Sequence, residues 1–363
     1  MRRRTLTSAT NSLLFSLSPA GAVLLLLFSF ATAAHADTLD YVKAYHPVIN
    51  QAELKVVDGQ YEDALRAYQQ AFAAVPSPFA RDYYNAAVCA TLLGEERQAR
   101  KYLEQLALKG VSLAYLERQE AFDALQSTRH WRKFKRKYPK RRRTFEQTAN
   151  LDLRADLDEL YARDQYFRQA EGGLRAYRDT LKQIEDSNVK LLLSWIEAHG
   201  YPGEGLVGVA DTLEQLPRYS IVIRRQTKAR KGYDFTAVLT QAVHQGNIDP
   251  QAAAYLLDQQ AGQNKYGSRA FVTINCTKCK KEAEQEKMLA GYLEEKRSAE
   301  ELERVNQRRE ALGLEPLEDY KRKIRYALQD DRFKLGYTWS VTTYQVPSKE
   351  AAEVLMEKLT GAE

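Results

Sequence analysis

Apolar positions recur at helical spacing along most of the chain, so nearly every predicted element is a helix. Between residues 40 and 115 the pattern repeats. Gly59-Gln60-Tyr61-Glu62-Asp63-Ala64 is followed by Tyr68, Ala71 and Pro76, and Gly94-Glu95-Glu96-Arg97-Gln98-Ala99 by Leu103, Leu106 and Val111. The two glycines lie 35 residues apart. Each Gly ends a first helix, and each Ala lets a second helix pack closely. Phe122, Leu125, Trp131 and Phe134 suggest a partial third unit. Farther on, Leu153, Leu157, Leu160, Phe167, Leu174 and Leu181 follow steps of 4, 3 and 7 residues, a long amphipathic helix or a pair broken at Gly172-Gly173. Trp195 to Pro202 reads as a helix stop, with Gly200 as its left-handed terminator. Helices are predicted over Phe235–Gln245 and Gln251–Gln260, the second capped by Asp249-Pro250. The charged stretch from Glu282 to Glu310 reads as a helix, and Ser348 caps a last one. Only Ile221-Val222-Ile223, Ala270–Asn275 and Tyr337–Val346 read as β-like.

The 35-residue unit resembles the tetratricopeptide repeat, whose period is about 34 residues. Tyr83, Asn85, Ala86 and Ala87 resemble the first helix of its second copy. The resemblance implies an interaction scaffold whose concave helix faces hold a peptide or another domain. Cys89 falls on the apolar side of that helix and reads as a small core residue.

The N-terminus changes the picture. Arg2 to Arg4 precede an apolar run from about Ala20 to Ala34, and Ala34 and Ala36 sit at the −3 and −1 positions of an A-x-A site. This order is that of a secretion signal, cleaved after Ala36. An uncleaved anchor is the alternative. Export to the periplasm or the extracellular space is therefore expected, with membrane contact only through this segment. The net charge of +6 falls to +3 without Arg2, Arg3 and Arg4, so attraction to anions must come from local patches. Three Cys cannot staple 363 residues, and 18 Gly with 10 Pro exclude a collagen-like chain.

One such patch spans residues 129–143. Arg132, Lys133, Arg136, Arg141 and Arg142 are among its cations, while Trp131, Phe134 and Tyr138 share one helical face. Two readings stand: a polyanion site, best matched to an envelope polyanion, or an amphipathic helix that docks three aromatics beside a Pro139-marked linker. Nucleic acid is not an expected partner of an exported protein. Asp164 stands in the apolar row between Leu160 and Phe167, four residues before Arg168, and reads as a local ion pair or a carboxylate lining a cleft. His199 and His244 each end a helix before a Gly, where capping explains them without chemistry. Cys276-Thr277-Lys278-Cys279 reads as a local disulfide, a redox pair, part of a metal site or free thiols. No metal or cofactor is expected. No phosphate-binding Gly loop, H-E-x-x-H or G-x-S-x-G motif is present.

An ordered set of short motifs runs through the second half: Asp164-Gln165-Tyr166-Phe167-Arg168, His199-Gly200-Tyr201-Pro202, Val207-Gly208, Ala254 to Asp258, Tyr266-Gly267-Ser268 and Arg308 to Tyr320. The set resembles a bacterial family of domains of unknown function, often exported and sometimes preceded by tetratricopeptide repeats. It would cover roughly residues 147–325, and no activity carries over from it. Arg224-Arg225 stands where that family has a Gln-His pair, Gln259 follows Asp258 in place of Arg, and Arg269 follows Tyr-Gly-Ser in place of Gln. These replacements remove the polar groups best suited to chemistry.

The expected organisation is mostly α: a signal over 1–36, repeats over 37–128, a basic aromatic joint over 129–145, a helical domain with minor β content over 146–330, and a strand-plus-helix extension over 331–363. The expected function is non-catalytic: the repeats bind a protein or peptide, and a cleft around Asp164, Gln165, Arg168, Asp258, Tyr266, Arg224 and Arg225 takes an anionic ligand. The competing class is a hydrolase using Asp164 with His199 or His244 as acid–base groups. A lesser one is a thiol redox protein using Cys276 and Cys279.

Overall fold

The computed structural model describes residues 39–276 and 291–360. The segment over 1–36 expected to be a secretion signal, Cys279 and the stretch 282–290 lie outside the described residues. The described residues fall in one compact unit, mostly helical, with two short strands among them. No described helix is long and apolar enough to cross a membrane.

Two helical hairpins open the chain: α1 (His46–Val57) with α2 (Tyr61–Ala74), and α3 (Ala80–Leu92) with α4 (Glu96–Leu108). Their turns are copies of one another. Gly59 and Gly94 both adopt φ +73°, which a side chain would strain. Gln60 N donates to Lys55 O and Glu95 N to Ala90 O, each at 2.8 Å, closing the last turn of the first helix in the same way. Ala64 and Ala99, the small residues at matching offsets, are fully buried.

A long helix, α5 (Arg129–Thr148), packs on α4 through Trp131, Phe134 and Tyr138. Tyr138 donates to Val111 O at 3.0 Å and accepts from Leu113 N at 3.1 Å. The linker expected at Pro139 is absent, because α5 runs unbroken past it. Beyond it Phe145 lies where a Cβ on Gly110 or Gly208 would stand, and Val209 N donates to Lys109 O at 3.1 Å. The joint is thus a rigid helix sewn to both halves of the unit.

The second half contains α6 (Leu151–Gln169) and α7 (Arg178–His199), parted at Gly172-Gly173 as the sequence suggests. α8 (Ile221–Arg225), α9 (Thr236–His244) and α10 (Pro250–Ala261) complete its core. The expected β character of Ile221-Val222-Ile223 is wrong. This run packs mainly against helices, the two strands among the described residues pair with each other rather than with it, and it folds as the short helix α8. The strands β1 (Phe271–Cys276) and β2 (Val341–Val346) pair in parallel, Phe271 opposite Val341. Between them lie α11 (Ala299–Glu310), opened by the Ser298–Glu301 capping box, and α12 (Leu317–Ala327). A last helix, α13 (Lys349–Thr360), packs on both strands.

Residues that join α12 to β2 do not stay with the strand. Phe333 and Leu335 are buried in the core of the repeat hairpins, with the Phe333 ring 5.8 Å from that of Tyr61.

Candidate functional site

The inner face of α3 carries the site. Ten of its thirteen residues are buried, and charged residues are among them. Asn85 reads the backbone of the crossing segment with both ends of its amide: Lys334 N donates to Oδ1 at 2.7 Å, and Nδ2 donates to Lys334 O at 3.3 Å. The Lys334 ammonium lies 5.3 Å over the Tyr84 ring and 2.7 Å from Glu214. The inner face of α3 therefore holds the chain's own residues 333–337.

From there a ladder of flat groups runs outward. The Arg81 guanidinium sits 4.2 Å over the ring of Tyr337. Tyr337 stacks on Trp339 at 4.3 Å and 9°, and Trp339 on Tyr255 at 4.5 Å and 18°. Arg224 lies 5.7 Å over Tyr255. Four segments far apart in sequence meet in these five groups, each face-on contact adding about 0.5–1.5 kcal/mol beyond burial. The outer end opens into a cleft of about 940 Å³, lined by Tyr161, Arg218, Arg224, Tyr255, Trp339 and Thr342 among others. Arg224 is exposed there and makes no ion pair among the described residues, whereas Arg218 is held by Asp211 at 2.6 Å.

The inner end enters a buried ionic cluster. Lys323 of α12 bridges Glu53 of α1 and Glu315, the latter at 2.7 Å. Arg81 stands 3.5 Å from Glu53 and 3.9 Å from Asp249. Burial, with Glu53 nearby, pushes the Asp82 carboxyl up to about 8, and Tyr45 donates a hydrogen bond to it. Burial also draws His46 down to about 4. Lys323 and Arg309 hold the Glu315 carboxyl below its usual range despite burial, and at neutral pH Asp82 and His46 are neutral. The cavity among them is about 20 Å³, room for roughly one water. A second cavity of about 70 Å³ lies between Arg81 and the Tyr201-Pro202-Gly203 loop. Neither admits a substrate-sized molecule, and the cluster acts as a balanced clamp between α1, α3 and α12.

The motif residues hold the fold together. Asp164, buried, accepts from Arg168 at 3.0 Å and from Arg225 at 3.2 Å, and Gln165 also donates to it. Asp258 accepts from Tyr266 N at 2.9 Å and Ser268 N at 3.1 Å, fixing the Tyr-Gly-Ser turn; burial lifts its pKa to about 6. Arg309, fully buried, donates to Tyr266 O at 2.9 Å and to Glu315 O at 2.6 Å. Asp164 and Asp258 share no partner, so the single cleft expected around them is two separate staples. His199 is exposed at the end of α7, and His244 faces Asp40 at 2.9 Å. Neither histidine touches Asp164. Cys89 is free, with burial pushing its thiol up to about 12, and Cys276 is disulfide-bonded. No His, Cys, Asp or Glu cluster suited to a metal occurs among the described residues.

Sequence reasoning missed Glu53, Arg81, Lys323, Tyr337 and Trp339 as a joined set. Two of them carried the signal that drew attention to Asp164. Glu53 interrupts the row Ile49, Ala52, Val56, and Lys323 lies between Tyr320 and Ile324. A charge in an apolar row needs a buried partner. No family model, curated protein or solved structure matches the chain.

Proposed function

We propose that the chain is an exported, non-catalytic binding scaffold. Its tetratricopeptide-like hairpins grip the chain's own segment 333–337, and that grip builds the wall of a cleft that receives an acidic peptide. The observation that carries this reading is the ladder from Arg81 to Arg224. It ties the repeat groove to an open cleft where a cation stands without a counter-charge. The expected peptide partner is therefore moved from the repeat groove, which is full, to the second half. The hydrolase reading gains no support from the geometry, since Asp164 is neutralised by two arginines remote from either histidine.

The test is a titration of the mature chain carrying Trp131→Phe and Trp195→Phe, so that Trp339 is the only reporter. An oligoglutamate peptide changes its emission and binds in calorimetry, an oligoserine peptide of equal length does not, and Arg224→Glu abolishes binding. Equal response to both peptides, or full binding by Arg224→Glu, refutes the reading. N-terminal sequencing of the exported product tests the address, with Asp37 as the expected first residue.

A further inference from the structure

Helix α5 carries a surface that the cleft does not use. At about 100° per residue, Arg129, Arg132, Lys133, Arg136, Lys140 and Arg143 fall within a stripe roughly 100° wide. It lies opposite the face of Trp131, Phe134, Tyr138 and Phe145. All six cations are exposed, and none makes an ion pair among the described residues. Among those residues only the Arg132 side chain has a hydrogen-bond partner, the carbonyl of Ser127 at 3.3 Å. The stripe is about 21 Å long, from a rise of 1.5 Å per residue.

The neighbouring cations behave differently. Lys135 pairs with Glu117 at 2.7 Å, Arg141 with Glu104 at 2.7 Å, Lys137 with Glu104 at 3.4 Å and Arg142 with Glu146 at 2.9 Å. The fold thus supplies carboxylates to the shoulders of the helix and withholds them from its crest. Folding gains nothing from this. Like charges three and four residues apart repel, and Arg129 and Arg132 sit at the positive end of the helix dipole with no acid in the first turn.

We infer that the crest of α5 is a docking stripe for a single-chain anionic polysaccharide. The four aromatic rings of α5 lie on the opposite, packed face, so bases have nothing to stack on. Beside the crest the small ring of Pro139 is the one exposed apolar side chain of α5, too little to insert into a bilayer. The cations form a band no wider than one helix, with Glu117 and Glu146 on the shoulders and Glu96 beside His130. A duplex or a flat anionic membrane would press against those carboxylates. A single extended polymer meets only the crest.

The test uses the full mature chain, with heparin and polygalacturonate as probes. Both bind, affinity falls linearly on a log–log salt plot with a slope for about four to six ion pairs, and binding raises the melting temperature by relieving crest repulsion. Lys133→Glu with Arg136→Glu and Lys140→Glu weakens binding on the order of 100-fold, without lowering the melting temperature of the unliganded chain. The same charge change on α7 (Arg178→Glu, Lys182→Glu, Lys190→Glu) leaves binding within about threefold. The inference is overturned if a 20-base-pair duplex or phosphatidylglycerol vesicles bind more tightly than heparin at equal salt. It also fails if the α7 reversal weakens binding as much as the crest reversal.

Discussion

Replacing Lys323 by Met tests the clamp between the repeats and the second half. The lysine is buried, and its two carboxylate partners are more than nine-tenths buried as well. Its loss leaves Glu53 with Arg81 alone, at 3.5 Å, and Glu315 with Arg309 alone, at 3.6 Å. Both remaining pairs are beyond hydrogen-bond length, so two buried carboxylates lose their only close ammonium. Breaking a buried pair from one side costs about 3–5 kcal/mol. Met keeps the apolar stem and most of the volume, so little of that cost is packing. The assay is urea unfolding followed by far-ultraviolet circular dichroism, on the chain from Asp37 onward at pH 7. Lys323→Met loses about 3–5 kcal/mol. The double variant Glu53→Gln with Lys323→Met loses clearly less than the two single variants summed, because the buried charge has gone with its partner. A single-variant loss below about 1 kcal/mol would refute the clamp, since that is the scale of a solvated surface pair.

Three other outcomes follow from the same geometry. Asn85→Ala removes both bonds to the Lys334 backbone and costs about 1–3 kcal/mol by urea unfolding, whereas Thr91→Ala on the same helix removes only a local bond to Ala87 O and costs less. Asp82 makes stability depend on pH: its pKa is raised on folding from 3.8 to about 8, so the contribution is full below pH 4 and is lost as pH rises through 8. Its slope is about 1.4 kcal/mol per pH unit, and Asp82→Asn flattens that limb in unfolding curves measured from pH 5 to 8. A Cβ on Gly203 would stand 2.0 Å from Asn247 O, but one on Gly205 only 3.7 Å from Ser77 Oγ. Thermal unfolding should therefore show Gly203→Ala destabilised by about 1–3 kcal/mol or more and Gly205→Ala nearly unchanged.

Helical content, the paired glycine turns, the two strands and the capping of α10 by Asp249 were legible because each rests on local spacing or backbone chemistry. The aromatic face of α5 was legible for the same reason. Its continuity was not: Pro139 on an exposed surface removes one donor without breaking a helix anchored on both sides of it. Val222 and Ile223 looked β-like because branched residues favour strands, and tertiary surroundings overrode that preference. The ladder was out of reach. Arg81, Tyr337, Trp339, Tyr255 and Arg224 are ordinary residues in four distant segments, and only the fold brings their faces together. The motif residues Asp258 and Arg309 drew attention by their order along the chain. Order alone could not tell a binding group from a staple on the Tyr-Gly-Ser turn.

Segment 333–337 packs on the inner face of α3 and thereby shapes the cleft. Hydrogen exchange of the backbone amides from Phe333 to Val341, in the unliganded chain from Asp37 onward and in Asn85→Ala, tests this placement. The Lys334 amide is expected to be strongly protected in the native chain and to exchange far faster in the variant, with Tyr337 and Trp339 loosening alongside it. An Lys334 amide that exchanges at the rate of an unstructured peptide in the native chain would contradict it.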